Sequence, residues 1–276
     1  ADIILPTAMF LERTDAAFGV GVPFYGFVNK TIEPQGECRT HLDIARGLAR
    51  KLGYTDFGSE TEDELLRKDA AESEVTDYEE FKRQGVFRIK QTEPYVAFKK
   101  QIDDPSTNPF PTPSGKIEIY SKKLAGLNDS RNPPIAKYIE TWEGRNDPLY
   151  QKYPLQLLTI HFKERAHTQS EKVPWLTELK PQQVHMNADD AKARGIKNGD
   201  MVRIFNDRGQ MILPAQISQR IMPGVVDIPE GAWFNPDANG VDRGGCANVL
   251  TRDEASPGGA YAYNTALVEI RLEKAR

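Results

Sequence analysis

Apolar and polar positions alternate most legibly between Asn187 and Ala215 (NADDAKARGIKNGDMVRIFNDRGQMILPA). Asn187 is a good N-cap, Ala188 to Arg194 reads as a short helix, and Gly195 stands where a helix C-terminus favours glycine. Asn198-Gly199-Asp200 supplies turn chemistry, with Gly199 free to take positive φ. Met201, Arg203 and Phe205 then alternate with Val202 and Ile204, so one face of a strand is mixed and the other wholly apolar. Asn206 to Gly209 reads as the turn of a β-hairpin, with Met211 to Leu213 as the returning strand. A helical turn feeding a hairpin suits a small closed barrel, in which every edge is paired.

Around this stretch the pattern predicts further strands at Leu155 to Ile160, Gln183 to Met186, Gly224 to Pro229 and Thr265 to Leu272. Loops separate them, and Ala188 to Arg194 is the one clear helix. Residues 150 to 276 therefore read as a β-barrel. Residues 1 to about 127 read as α-rich with short strands. Thr40 caps a helix with Asp43 in the capping-box place, an apolar face of Leu42, Ala45, Leu48, Ala49 and Leu52, and Gly53 as its stop. Thr61 starts a second helix. Thr76 and Glu79 form a capping box for a third, which stops at Gly85. Val86 to Lys90 reads as a strand and Pro94 to Ile102 as a short helix. The proline-rich run 103–114 is a connector, Gly115 to Tyr120 a strand, and Ser121 to Leu127 a helical turn. A second irregular run ends at Pro154, and the expected domain boundary lies within it, giving units of 1–150 and 151–276. The start, Ala1 to Pro6, resembles the end of a buried strand and has no signal-peptide character, as expected of a segment cut from a longer chain.

Composition narrows the function classes. The 276 residues carry a net charge of −4 with no basic stripe interleaved with aromatics, which argues against nucleic-acid partners. Two cysteines, Cys38 and Cys246, share no CxxC or Cys/His spacing, so a zinc site, disulfide framework or iron–sulfur cluster built from this chain is not expected. No apolar run approaches the length of a membrane span, so no direct membrane insertion is expected. The carboxylates between Glu60 and Glu80 are interspersed with lysines and arginines, as on a solvated helical face. Gly19-Val20-Gly21 does not complete a dinucleotide fingerprint, there is no phosphate-binding P-loop, and Ser114 is a turn residue.

One loop concentrates chemistry. Thr159 to Gln169, directly after a predicted strand, brings together His161, His167, Arg165, hydroxyls and an amide. An arginine fork suits a phosphate or a pterin-type carbonyl, and imidazole can donate or accept. Composition fits an exposed polar loop as well as a ligand loop, and the spacing of His161 and His167 does not demand a metal.

Longer motifs carry a resemblance over essentially the whole chain. ADIILPTAMFLERTD, PTPSGKIEIYS, HFKERAHTQ, NADDAKARGIKNGDMVRIFNDRG, MPGVVDIPEGAWFNPD, VDRGGCANVLT and NTALVEI, in this order and spacing, resemble the C-terminal portion of catalytic subunits in the molybdopterin oxidoreductase family. VDRGGCANVLT and GAWFNPD favour its anaerobic dimethyl sulfoxide reductase branch over the nitrate reductase and formate dehydrogenase branches.

The resemblance implies a mixed α+β chain: a C-terminal double-psi-type β-barrel preceded by an α-rich remnant of an α/β cofactor-binding domain. The barrel would help clamp a bis(molybdopterin guanine dinucleotide) molybdenum centre. By position, Thr159, Ile160, His161, Arg165, His167, Thr168 and Gln169 are the implied contacts, with Asn248 and Asn264 behind them. The family's molybdenum ligand and its iron–sulfur cysteines lie upstream of any residue here, so neither a catalytic residue nor a metal ligand is expected within this sequence. The activity implied is reduction of an S- or N-oxide by oxygen-atom transfer, with this chain inactive alone. Implied partners are the rest of the catalytic subunit, an iron–sulfur electron-transfer subunit and a membrane-anchor subunit. The implied location is the periplasm or the outer face of the cytoplasmic membrane, held peripherally. A stand-alone double-psi barrel binding a nucleotide or a protein is the alternative, and a hydrolase or decarboxylase on the same barrel a more distant one.

Overall fold

A computed structural model of the chain describes residues 2–18, 21–55, 57–256, 259–261 and 263–274. Gly19 and Val20 of the incomplete glycine motif lie outside them, as does Ala1. The residues cluster into two compact units, 1–110 and 111–276. The division at Phe110/Pro111 lies well before the boundary expected near residue 150. Glu143 shows why the run 111–154 groups with the barrel. Its buried carboxylate accepts both arms of the Arg208 guanidinium, at 2.6 and 2.8 Å, and the Leu267 amide at 2.8 Å.

In the first unit, β1 (Asp15–Phe18), β2 (Phe24–Val28) and β3 (Val86–Arg88) form an antiparallel sheet in that order. The pattern of residues 1–90 had suggested only the last of these. Helices α1 (His41–Lys51), α2 (Glu62–Ala71), α3 (Tyr78–Gln84) and α4 (Lys99–Asp103) complete it. Thr40 caps α1 by accepting from the Asp43 amide, and Thr61 and Glu64 form a reciprocal box on α2. The cap of α3 is Asp77, which accepts from the Glu80 amide. The cap thus lies one residue after the expected Thr76. Gly85 ends α3 at φ 73°. Phe27, Leu66, Ala70, Val75, Tyr78 and Phe81 form a small core, with Phe27 edge-on to Phe81 at 5.3 Å. Leu48 and Leu52, expected on a buried face of α1, are exposed. So are Ile3, Ile4 and Leu5, where no strand forms before an isolated bridge at Thr7. Asp63 bonds Lys82 and Tyr78, and Glu60 pairs with Lys68, as expected of a solvated charged face.

In the second unit, α5 (Lys122–Leu127) starts at the Ser121 cap as expected. Gly115 to Tyr120 forms no strand: Ile117, Ile119 and Tyr120 are exposed, and alternation alone cannot make a strand without a neighbour to bond. The barrel then takes over. Strands β4 (Leu155–Leu158), β5 (Val184–Asn187), β6 (Met201–Phe205), β7 (Gln210–Ser218), β8 (Val225–Asp227) and β9 (Ala266–Leu272) close in the order β4-β8-β5-β7-β6-β9. The β6–β7 hairpin has the expected register, Met201 opposite Pro214 through Phe205 opposite Gln210. Two helices flank β5: α6 (Pro174–Leu179), absent from the sequence reading, and α7 (Ala188–Ala193), capped by Asn187 and ended at Gly195, φ 65°.

Inward residues fill the barrel. Leu155, Leu157, Val184, Met186, Val202, Ile204, Val226, Val268 and Ile270 are all but sealed from solvent. The strand-period pattern thus becomes a packed apolar interior, worth about 25 cal/mol for each Å² of apolar surface removed from water. The described core side chains that fill it are apolar.

Glu143→Gln keeps the shape but leaves the Arg208 fork short of one charged acceptor. Since Arg208 is partly exposed, the expected cost is about 2 kcal/mol. That corresponds to a fall of roughly 4–8 °C in thermal midpoint. A midpoint within 1 °C of wild type, to an accuracy of about 0.5 kcal/mol, would show that Glu143 does not fasten 111–154 to the barrel.

Candidate functional site at one rim of the barrel

Strand directions gather the polar loops. β4 and β8 are parallel and end side by side, while β5 runs antiparallel to β8 and β9 antiparallel to β4. The chain after Leu158, the chain after Asp227, and the residues just before β5 and β9 therefore share one end of the barrel. This is how Thr159 and Asn264, far apart in sequence, come together: the Thr159 amide donates to Asn264 Oδ1 at 2.7 Å. The Thr159 hydroxyl donates to the Tyr263 carbonyl at 3.2 Å. Asn248 is exposed and lines a cleft of about 380 Å³ with Thr251, Arg252, Asp253, Tyr261 and Tyr263. Tyr263 thus belongs to both places.

Ile160 is half exposed, and its backbone joins the loop to β8. Its amide reaches Asp227 Oδ1 at 3.4 Å and its carbonyl accepts from the Glu230 amide at 2.9 Å. Asp227 also contacts His185 Nδ1 at 2.9 Å. Arg165 is the most constrained side chain of the loop. Its Nη2 donates to Gln182 Oε1 at 2.7 Å and to the Glu230 carbonyl at 3.1 Å, and its guanidinium lies 4.1 Å over the Phe162 ring. Burial pushes its pKa down, opposed by the carboxylates of Glu171 and Glu230. Its Nε is buried with no hydrogen-bond partner.

His161 and His167 converge. Their Nδ1 atoms lie 3.0 and 3.3 Å from Glu230 Oε1, and their rings are 5.1 Å apart. Thr168 accepts the Trp233 indole N–H at its carbonyl, 3.0 Å away, and the Gln169 amide turns back to the Ala166 carbonyl at 3.0 Å. The structure thus brings Thr159 and Asn264 together, and separately His161, Arg165 and His167 around Glu230. The Gln169 side chain is exposed.

Residues outside the sequence-based set hold this rim in place. Gln182 donates its Nε2 to the carbonyls of Pro229 and Gly245 at 2.8 and 3.1 Å while accepting from Arg165. Asp242, fully buried, accepts four backbone amides, from Asn235, Gly244, Gly245 and Cys246, at 2.7–2.9 Å. Two glycines after an aspartate is a turn signal that could have pointed to Asp242. Gln182 and Glu230 carry no local signal at all.

The donor set suits an acceptor-rich ligand: a half-buried guanidinium with an orphaned N–H, two imidazoles and nearby hydroxyls. Residues 155–266 match the family model described as Molydopterin dinucleotide binding domain. The chain matches dimethyl sulfoxide reductase DmsA of Haemophilus influenzae, 41% identical over 93% of this chain and 34% of that protein. DmsA of Escherichia coli K12 is 40% identical over the same shares.

The chain belongs to the molybdopterin oxidoreductase family. It is similar to a part of the dimethyl sulfoxide reductases DmsA and spans about a third of the length of the curated relatives it matches. Trimethylamine-N-oxide reductase 1 of Escherichia coli K12 is 35% identical over 99% of this chain and 35% of that protein. Acetylene hydratase from Pelobacter acetylenicus superposes with a TM-score of 0.76 over 98% of this chain and 38% of that one. At 20% identity that likeness shows the fold alone. The mixed α+β class and the double-psi-type barrel stand as expected. Among the described rim residues, Arg165 keeps a buried Nε–H without a partner, the donor that an acceptor-rich ligand would satisfy.

Gln182→Ala removes three rim hydrogen bonds at once. The expected cost is about 2 kcal/mol. Amides of Glu230, Gly231 and 244–246 should exchange faster while β6 and β7 do not change. Uniform exchange across the barrel in the variant would show that Gln182 does not organise the rim.

Proposed function

We propose that this chain is the cofactor-clamping part of an oxidoreductase that reduces S- or N-oxides by oxygen-atom transfer. The cofactor would be a molybdenum centre carrying two molybdopterin guanine dinucleotides. The observation that carries the reading is the orphaned, buried Nε of Arg165 at the rim of a molybdopterin dinucleotide-binding barrel. A buried guanidinium N–H without an acceptor is costly unless a ligand supplies one. Relatives named for dimethyl sulfoxide and trimethylamine-N-oxide support the substrate class.

When bound, the molybdenum centre supplies the two-electron change and the oxygen transfer, chemistry that belongs to the cofactor. The chain's own residues bind and orient. Arg165, fixed by Gln182 and stacked on Phe162, offers Nε to an acceptor oxygen or ring nitrogen. Thr159, fastened to Asn264 and Tyr263, sets where the loop leaves the barrel. His161, His167, Thr168 and Gln169 line its exposed side. Ile160 holds the loop to β8 through its backbone, and Asn248 faces the cleft beside Tyr263. The metal ligand, an iron–sulfur cluster, an electron-transfer subunit and a membrane anchor complete the proposal outside this sequence, at the periplasmic side of the cytoplasmic membrane. No helix among the described residues is long and apolar enough to cross a membrane.

Two outcomes are expected. The 276-residue chain alone should reduce neither dimethyl sulfoxide nor trimethylamine-N-oxide with a reduced dye as electron donor, and elemental analysis should find no stoichiometric molybdenum. Turnover or bound molybdenum would contradict the assignment of the reacting part to other segments. In the complete subunit, Arg165→Ala should lower cofactor affinity at least about tenfold, since charge-assisted bonds to a ligand are worth roughly 1.5–3 kcal/mol. Arg165→Lys should restore it only in part, because an ammonium cannot reproduce the planar fork. Molybdenum and pterin content, measured beside the thermal midpoint, decides. Unchanged content in Arg165→Ala removes this residue from the cofactor site.

A further inference from the structure

We propose that His185 is a positioning residue for the ligand loop. Acting through Asp227, it fixes where the loop leaves the barrel, and so where Arg165 presents its unpartnered N–H. The role rests on the reading of Arg165 as a cofactor donor. A chain of hydrogen bonds carries it, starting on the outer face of the barrel and ending at the Arg165 guanidinium.

β5 and β8 pair antiparallel with His185 directly opposite Asp227. Their neighbours along the strands, Val184, Met186, Val226 and Ile228, belong to the apolar core, so strand alternation puts the pair on the outer face. Asp227 is nevertheless only 5% exposed. A carboxylate withdrawn from water needs donors. His185 Nδ1 lies 2.9 Å from its Oδ2, and the Ile160 amide 3.4 Å from its Oδ1. Since a carboxylate only accepts, Nδ1 of His185 carries a proton.

Ile160 is where the strand ladder gives way to the loop. The Leu158 and Ile160 carbonyls continue the β4–β8 pairing, accepting from the Ile228 and Glu230 amides at 3.0 and 2.9 Å. Between them the Ile160 amide turns to a side chain, the Asp227 carboxylate. Such an acceptor lies wherever its other partner holds it, whereas a carbonyl within a ladder is fixed by the strand. By holding Oδ2, His185 therefore sets where Oδ1 meets Ile160. The Ile160 carbonyl then holds the Glu230 amide, and the Glu230 carbonyl accepts from Arg165 Nη2 at 3.1 Å. Without a donor at position 185 the carboxylate must turn to find another, and the loop loses its first anchor.

The 276-residue chain and the complete subunit are tested side by side. His185→Phe keeps a ring and removes the donor, while His185→Asn keeps a donor near the place of Nδ1. In the chain alone, the Ile160 and Glu230 amides should exchange at least about threefold faster in His185→Phe and at the wild-type rate in His185→Asn. In the complete subunit, cofactor affinity should fall at least about threefold in His185→Phe and recover in His185→Asn, the scale on which a residue acting through its neighbours moves a binding equilibrium. Thermal midpoints show that the variants fold, and His185→Leu carries the same expectation should His185→Phe fail to. Gln216→Ala, at the exposed neighbour of His185 on β7, alters the same patch of sheet and should change neither readout. Unchanged exchange at Ile160 and Glu230, or a loss in His185→Asn as large as in His185→Phe, overturns the role. So does unchanged cofactor content in His185→Phe where Arg165→Ala lowers it. If Arg165→Ala itself leaves the content unchanged, the reading of Arg165 fails instead, and the exchange rates alone decide whether His185 positions the loop.

Discussion

The rim depends on one buried carboxylate. Asp242 has no solvent exposure and accepts four backbone amides, while its own amide and carbonyl pair with Gln210 and Ile212 on β7. Buried backbone groups left unpaired cost about 1–3 kcal/mol each, so one side chain makes the irregular run 235–246 tolerable against the barrel. The rest follows by contact. With the Gly245 amide held, the Gly245 carbonyl faces Gln182, Gln182 holds Arg165, and Arg165 holds the backbone of Glu230. Glu230 in turn sets where His161 and His167 can meet.

The barrel separates stability from chemistry. Its interior is filled with aliphatic side chains from every strand, and its hydrogen bonds close on themselves, so no edge is left to satisfy. Polar function is confined to the loops, and the mixed parallel and antiparallel pairing decides which loops share an end. Glu143 extends the same frame outward. It brings an irregular, proline-rich run against β9 and the β6–β7 turn by accepting from Leu267 and Arg208.

What could be read from sequence followed the range of the interaction. The β6–β7 hairpin, the Asn187 cap and the stops at Gly195 and Gly85 rest on residues a few positions apart, and the structure reproduces them. The Thr159–Gln169 loop was visible because its chemistry is dense in one stretch. Gln182, Glu230 and Asp242 were not, because each acquires its role only when strand pairing brings distant segments together. The misreadings have the same origin. Gly115 to Tyr120 alternates like a strand, yet among the described residues it joins no sheet. Asp77 displaced Thr76 as the cap of α3 because adjacent good capping residues cannot be ranked by pattern alone. The meeting of Thr159 with Asn264 depends on β4 and β9 being antiparallel neighbours, which no local signal announces.

Strain at the rim has a direction. His167 and Ser170 both hold left-handed backbone, at φ 54° and 67°, within the loop that carries the most donors. Such residues cost about 1–3 kcal/mol each and persist only where the surroundings over-determine them. Here the surroundings are identifiable: the Ala166–Gln169 bridge, the Trp233 indole on the Thr168 carbonyl, and Gly231 against His167. A loop serving only to connect β4 to α6 would have no need to turn His167 toward Glu230 at that cost. Because the donors are held before anything binds, a ligand meets them without first ordering the loop, and less of its binding energy is lost to conformational entropy. The same rigidity confines the rim to ligands whose acceptors match the fixed positions of Arg165, His161 and His167.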